Sequence, residues 1–200
     1  MFEKYFRGFY QLILVDPIAK LIKRYCFLSP IHLTFIACLF GIVSGFAIAF
    51  GWLWTGFAAL MFSGYLDTLD GTVARLKNQT SNLGCVLDIV CDRLVEFAVI
   101  MGLYFLYQEV DGIYSLMMLG SVLICITSFL VVGIFSENSG QKGFHYSPGL
   151  IERGEAFLFF ALMIFFSNLY VILSVMFSLM VFLTAVVRIY QFGQQDLVKG

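Results

Sequence analysis

Asp67-Thr68-Leu69-Asp70-Gly71-Thr72-Val73-Ala74-Arg75, then eight residues to Gly84, three to Asp88 and three to Asp92, is the stretch on which the reading of this chain turns. On a helix, positions 67, 70, 71, 74 and 75 follow the i, i+3, i+4, i+7, i+8 rule and share one face. Asp88 and Asp92 are i and i+4 on a second helix, with Gly84 one turn before them. Between the two runs, residues 77–83 hold Asn78, Gln79, Ser81 and Asn82, a polar turn that reverses the chain. The two helices are therefore expected as antiparallel neighbours whose acidic faces converge.

The segments that carry these acids are otherwise apolar. Ionised carboxylates inside a bilayer are expensive, and they mark functional sites by default. Four in one small volume repel one another unless a positive charge sits among them, and Arg75 cannot neutralise four. A divalent metal can. Oxygen-only ligands favour hard cations such as Mg²⁺, Mn²⁺ or Ca²⁺. At about 1.5 Å rise per residue, Asp67 lies roughly 15 Å inward of Lys77, embedded yet reachable from the membrane face. Gly71 and Ala74 on one helix, with Gly84 on the other, remove bulk beside the carboxylates. Small residues also let membrane helices pack closely; together with the acids and Arg75 they read as clearance for a flat ligand, such as a metal-bridged nucleotide diphosphate.

Composition places the rest of the chain in lipid. Of its 200 residues 60% are hydrophobic and 12% charged, with a mean hydropathy of +0.92, whereas a soluble domain carries about a quarter of its residues as charges. Stretches of about 20 apolar residues, the length a spanning helix needs, fall at 31–50, 52–76, 83–107, 113–135, 150–167 and 169–190. The turns at Gly51 and at Ser167-Asn168 carry no basic residue, and the connection 108–112 carries only acids. All twelve Lys and Arg fall toward the other side of a six-span arrangement. The positive-inside rule makes that side cytoplasmic, with both termini and the acidic site facing it. The expected fold is an all-α integral membrane domain over residues 1–200: a six-helix transmembrane bundle at 31–190, preceded by an amphipathic interfacial helix at 2–25. In that leading segment Phe2, Tyr5, Phe6, Phe9, Tyr10, Ile13 and Leu14 form an apolar stripe, and Asp16-Pro17 marks a fresh helix start before Ile18, Leu21 and Ile22. The start shows no small-residue cleavage pattern of a signal peptide.

Nothing in a net charge of −1 or in the distribution of basic residues points to nucleic acid. The five cysteines, Cys26, Cys38, Cys85, Cys91 and Cys125, have no zinc-site spacing and read as small packing residues. His32 and His145 are single and are read as interfacial and loop residues.

The pattern D-x-x-D-G-x-x-A-R-x8-G-x3-D-x3-D resembles the signature of the CDP-alcohol phosphotransferase family, and every fixed position is present. Six spans, an N-terminal amphipathic helix and the Pro30-x-x-x-Thr34 start of the first span are also similar to that family. The resemblance implies that Asp67, Asp70 and Asp88 are ligands of Mg²⁺ or Mn²⁺, with Asp92 near or on the metal. It further implies that Asp67, Gly71, Ala74, Arg75 and Gly84 hold the cytidine nucleotide. Asp92 would be the general base on the acceptor hydroxyl, which attacks the donor's β-phosphate and releases CMP. The likeness is to prokaryotic enzymes of the cytoplasmic membrane that use CDP-diacylglycerol, and to homodimers.

Lys142, Arg153 and Arg188 are unusual cations near the ends of apolar stretches. An arginine at a helix end can snorkel or pair with an acid such as Glu152 or Glu155. Lining a pocket, the three would select an anionic small alcohol: serine, glycerol phosphate or inositol phosphate. Two alternatives stand beside this reading. A CDP-choline or CDP-ethanolamine donor would deliver a phosphoaminoalcohol to a lipid alcohol. A cation channel or transporter would use the aspartates as an ion path, but it leaves the offsets of Gly71, Ala74, Arg75 and Gly84 without a purpose.

Overall fold

The computed structural model describes residues 10–25, 29–135 and 153–199. They form two compact units, Met1–Gln108 and Glu109–Gly200, and the described residues are helical almost throughout.

In the first unit a π-helical turn, Gln11–Val15, runs directly into helix α1 (Asp16–Tyr25). The expected fresh start at Asp16-Pro17 is instead a change of helical winding. Pro17 has no N–H to offer the preceding turn, and the Asp16 N–H reaches back five residues to the Gln11 carbonyl. Helix α2 (Pro30–Ala49) opens with extended Ser29 followed by proline at its first position, where the missing donor has no partner to lose. Gly51, at φ +77°, turns the chain into α3 (Leu53–Lys77).

The turn after α3 is built as its polar sequence predicts. Asn78 adopts the left-handed conformation (φ 52°), and the Gln79 N–H closes the helix on the Ala74 carbonyl at 2.9 Å. Ser81 Oγ then caps the next helix by accepting from the Gly84 N–H at 3.0 Å.

The π-turn and α1 pack against α3 in a cluster of Val15, Ala19, Leu66, Leu69 and Val73, to which α2 adds Leu33 and Ala37. Helix α2 meets the first half of α4 (Asn82–Phe135) through glycines that the sequence reading had not singled out. A Cβ on Gly45 would overlap the Ala98 carbonyl, and one on Gly102 would overlap the Gly45 carbonyl. Backbone therefore lies on backbone, as at small-residue contacts between membrane helices.

Helix α4 is unbroken through the expected connection at 108–112. Polarity marked that stretch as a loop, but Gln108-Glu109-Val110-Asp111 contains no residue that prevents a helix. In the second unit, α5 (Arg153–Phe165) passes through a 3-10 turn, Ser167–Leu169, into α6 (Tyr170–Lys199). Helices α5 and α6 pack through the Phe160–Phe177 ring pair, and a buried hydroxyl bond of 2.6 Å ties Tyr170 of α6 to Ser115 in the second half of α4.

Among the described residues three helices are long and apolar enough to cross a membrane: Pro30–Ala49, Gly112–Phe135 and Ser167–Gln194. Gly154–Phe165 is a shorter apolar helix. The expected spans at 52–76 and 83–107 are helical too, but they carry Asp67, Asp70, Arg75, Asp88, Asp92, Arg93 and Glu96. Large apolar side chains are turned outward, as on Phe35, Leu39, Val43 and Phe46 of α2. Such a continuous stripe suits lipid rather than water.

Candidate active site

The turn at residues 78–81 puts α3 and α4 side by side with their acids at matched depth. Asp70 lies seven residues before the end of α3 and Asp88 six after the start of α4, each about 10 Å from the turn at about 1.5 Å per residue. Asp67, Asp70 and Asp88 each bring a carboxylate oxygen to within 4.8 Å of the others. Asp70 is buried, at 6% exposure, and Asp67 and Asp88 are half-buried. Three carboxylates this close repel one another unless a cation sits among them, and an all-oxygen donor set at this spacing fits a hard divalent ion.

Asp92 is outside that group of three. It lies one helical turn beyond Asp88, half-buried, with its Oδ1 atom buried. Of the four aspartates expected around metal, three meet. The fourth, Asp92, lies one turn further along the same helix as Asp88.

Thr34 enters the site from α2. Its hydroxyl donates to Asp70 Oδ2 at 2.5 Å. Sequence reading placed Thr34 in the Pro30-x-x-x-Thr34 start of the first span and gave it no chemistry. The missed signal is a hydroxyl one turn into a strongly apolar helix, after its Pro30 start.

Arg75, the exposed guanidinium of the signature, folds back along its own helix. Its Nη2 donates to Thr72 Oγ1 at 3.1 Å, and its Nη1 lies 3.5 Å from where a Cβ on Gly71 would be. The absent Gly71 side chain thus leaves the surface beside Asp70 and Arg75 open. Ala74 is half-buried on the same face. At Gly84 a Cβ would meet only Ser81 Oγ, at 3.2 Å. One turn past Asp92, buried Glu96 accepts an ion pair from Arg93 at 2.7 Å. It is an acid that the sequence reading did not single out.

Of the three expected acceptor cations, Lys142 lies outside the described residues. Arg153 begins α5, and its side chain lies outside them. Arg188 is described, in the second unit, and it is buried at 9% exposure. Its Nη1 donates to the Cys125 carbonyl at 2.9 Å and to Ser128 Oγ at 3.0 Å, and its guanidinium lies 5.2 Å from the Phe129 ring centre. These contacts hold the head group inside the helix packing instead of letting it snorkel.

His145 and Cys26 lie outside the described residues. His32 Nδ1 bonds to Ser29 Oγ at 2.7 Å at the start of α2. Cys38, Cys85, Cys91 and Cys125 are free thiols.

Comparison with known proteins matches residues 27–189 to the family described as CDP-alcohol phosphatidyltransferase. The chain is 32% identical over 142 residues to phosphatidylinositol phosphate synthase of Mycolicibacterium smegmatis, covering 70% of this chain and 62% of that one. It is 27% identical over 148 residues to the same-named enzyme of Corynebacterium glutamicum, covering 72% of this chain and 65% of that one. It is 30% identical over 141 residues to archaetidylinositol phosphate synthase of Methanothermobacter thermautotrophicus, covering 70% and 66%. The match thus spans a little under two thirds of the first two relatives' length.

Its fold is shared with Mycobacterium tuberculosis phosphatidylinositol phosphate synthase. The form in complex with manganese and citrate superposes with a TM-score of 0.74 at 21% identity, covering 90% of this chain and 88% of that one. The form with CDP-DAG bound gives 0.73 at 22% identity, covering 90% and 93%. By its match over most of its length and by the signature from Asp67 to Asp92, the chain belongs to the CDP-alcohol phosphatidyltransferase family.

Proposed function

We propose that this protein moves a phosphatidyl group from CDP-diacylglycerol to the hydroxyl of a small anionic alcohol of the inositol phosphate type, releasing CMP. The observation that carries this reading is the meeting of Asp67, Asp70 and Asp88 within 4.8 Å, across two helices. The acceptor class is supported by relatives named phosphatidylinositol phosphate synthase and by three basic residues, Lys142, Arg153 and Arg188.

Asp67, Asp70 and Asp88 would hold Mg²⁺ or Mn²⁺, which supplies charge neutralisation to the diphosphate and to the departing CMP. Thr34 fixes the Asp70 carboxylate through its hydroxyl. Gly71, Ala74 and Gly84 leave room for the cytidine nucleotide beside Asp67, and Arg75 pairs with its phosphate. Asp92 accepts the proton of the acceptor hydroxyl. The acceptor oxygen forms its bond to the β-phosphorus, and the bond from that phosphorus to the bridging oxygen breaks. CMP keeps the electron pair, and the proton leaves Asp92 for solvent. The setting of this chemistry is one membrane domain with an interfacial N-terminal helix, both termini and the site on the cytoplasmic side of a prokaryotic membrane, acting as a homodimer.

The test is incubation of purified protein with CDP-diacylglycerol, Mn²⁺ and, separately, inositol phosphate, glycerol phosphate or serine. CMP and a new lipid are expected with inositol phosphate. A different productive acceptor corrects the acceptor assignment, and no CMP with any of them, or full turnover in excess chelator, overturns the reading.

A further inference from the structure

The Arg75 guanidinium is fixed by a hydrogen-bond chain that begins outside the signature. Thr72 Oγ1 gives its single proton to the Thr68 carbonyl at 3.0 Å. Its lone pairs then accept two donors, Arg75 Nη2 at 3.1 Å and Gln11 Nε2 at 3.0 Å. The hydroxyl is saturated. The Gln11 amide is equally committed, because its second proton goes to Asp16 Oδ1 at 2.9 Å.

That last contact needs the π-helical turn. In an α-helix residues five apart are about 140° apart around the axis and cannot touch. The wider winding of Gln11–Val15 brings Gln11 and Asp16 together. Single π-turns inside helices recur at functional sites, and this one aims an amide at the signature helix. A second tie, Tyr65 OH to the Leu14 carbonyl at 3.0 Å, holds the same turn against α3.

We propose that Gln11 is a positioning residue for the donor nucleotide. Through Thr72 it sets the Arg75 guanidinium over the space left by Gly71, so that the N-terminal helical segment helps to shape the donor site. A guanidinium held in one rotamer loses less freedom on meeting a phosphate than one that is free to sweep. This inference rests on the reading of Arg75 as a nucleotide contact.

The test measures the KM for CDP-diacylglycerol and for the acceptor in Gln11→Met, Thr72→Val, Thr72→Ser and Arg75→Ala, with CDP binding in the presence of Mn²⁺ as a readout independent of turnover. Thr72→Val, which removes a bond to a charged group, is expected to raise donor KM about tenfold, and Gln11→Met, which loosens that group through a neutral bond, to raise it about threefold to fivefold, both with acceptor KM unchanged. Thr72→Ser keeps the hydroxyl and restores the donor KM. Gln11→Met placed in the Arg75→Ala background adds nothing further. If Arg75→Ala weakens donor and CDP binding while Gln11→Met and Thr72→Val do not, the relay is refuted and the nucleotide reading survives. If Arg75→Ala itself leaves donor KM and CDP binding unchanged, the nucleotide reading falls. Equal rises in both KM values, or lower thermal stability with unchanged KM, would make Gln11 a packing residue and overturn the proposal.

Discussion

Replacing Thr34 by valine removes the hydroxyl that bonds Asp70 and preserves the shape of the side chain. The Thr34 oxygen lies 3.2 Å from the Pro30 carbonyl and 2.5 Å from Asp70 Oδ2. A hydroxyl has one proton, and the shorter contact has the length of a charge-assisted O–H···O⁻ bond. Its loss is worth about 1.5–3 kcal/mol. At about 1.36 kcal/mol per decade this is roughly 10- to 150-fold in an equilibrium constant, and removal of groups that orient metal ligands has similar effects of about 10–100-fold.

Because Thr34 touches Asp70, proposed as a metal ligand, and not Asp92, proposed as the base, the change is expected in metal affinity. CMP release followed against Mn²⁺ concentration should show half-saturation rising by about 10–100-fold. Turnover at saturating metal should stay close to normal, and Thr34→Ser should recover the original curve. Thr34→Val with an unaltered Mn²⁺ curve would refute the role given to this hydrogen bond. A large loss of turnover that saturating metal does not recover would move Thr34 from the metal to the reacting groups.

Three other outcomes are expected. Asp92→Asn should lower CMP release by about 10²–10⁴-fold, the usual span for a general base, while binding CDP with Mn²⁺ like the parent in calorimetry. Gly45→Ala places a methyl on the Ala98 carbonyl, and backbone cannot step aside; overpacking of this kind costs about 1–3 kcal/mol and should lower the melting temperature in detergent. Gly120→Ala, which meets nothing within 4 Å, is its control and should not lower melting. Arg188→Ala should raise acceptor KM more than donor KM in steady-state kinetics; equal effects on both would leave Arg188 as a strut on Cys125 and Ser128.

The three aspartates that meet were legible because their periodicity is helical and their chemistry is out of place in lipid. Asp67, Asp70 and Asp88 needed only the i+3 and i+4 rule and one polar turn to be put together. Asn78 and Ser81 terminate and restart the helices with side chains suited to those tasks. Thr34 and Gln11 were not legible in the same way. Each acts across helices, through a single contact whose partner is 36 and 61 residues away respectively, and no local period points there. The run through 108–112 reads as a turn because it combines acids with Gly112, but these weaken a helix without stopping it, and the helix continues. The π-turn at Gln11–Val15 was invisible for a different reason. Pro17 announces a perturbed helix, but it does not say whether the chain will stop or widen.

The distribution of apolarity along the chain follows from the chemistry it surrounds. The helices of the first unit that bear the acids, α3 and the start of α4, are those too polar to rank among the three strongly apolar helices. A polar helix gains little from lipid and must be held by its neighbours. Here α2, strongly apolar and turned outward at Phe35, Leu39, Val43 and Phe46, supplies that support on its other face. It lays Gly45 against Ala98 and Gly102 of α4, and through Ser63 Oγ to the Ala37 carbonyl, at 2.7 Å, it ties to α3. The same inner face carries Thr34 to Asp70. An apolar helix with small and hydroxyl-bearing inner positions therefore fixes the spacing of two acidic helices that could not fix it themselves, since their carboxylates repel. A bulky residue at Gly45 should accordingly widen the separation of Asp70 and Asp88 and weaken Mn²⁺ binding even where the helices still form.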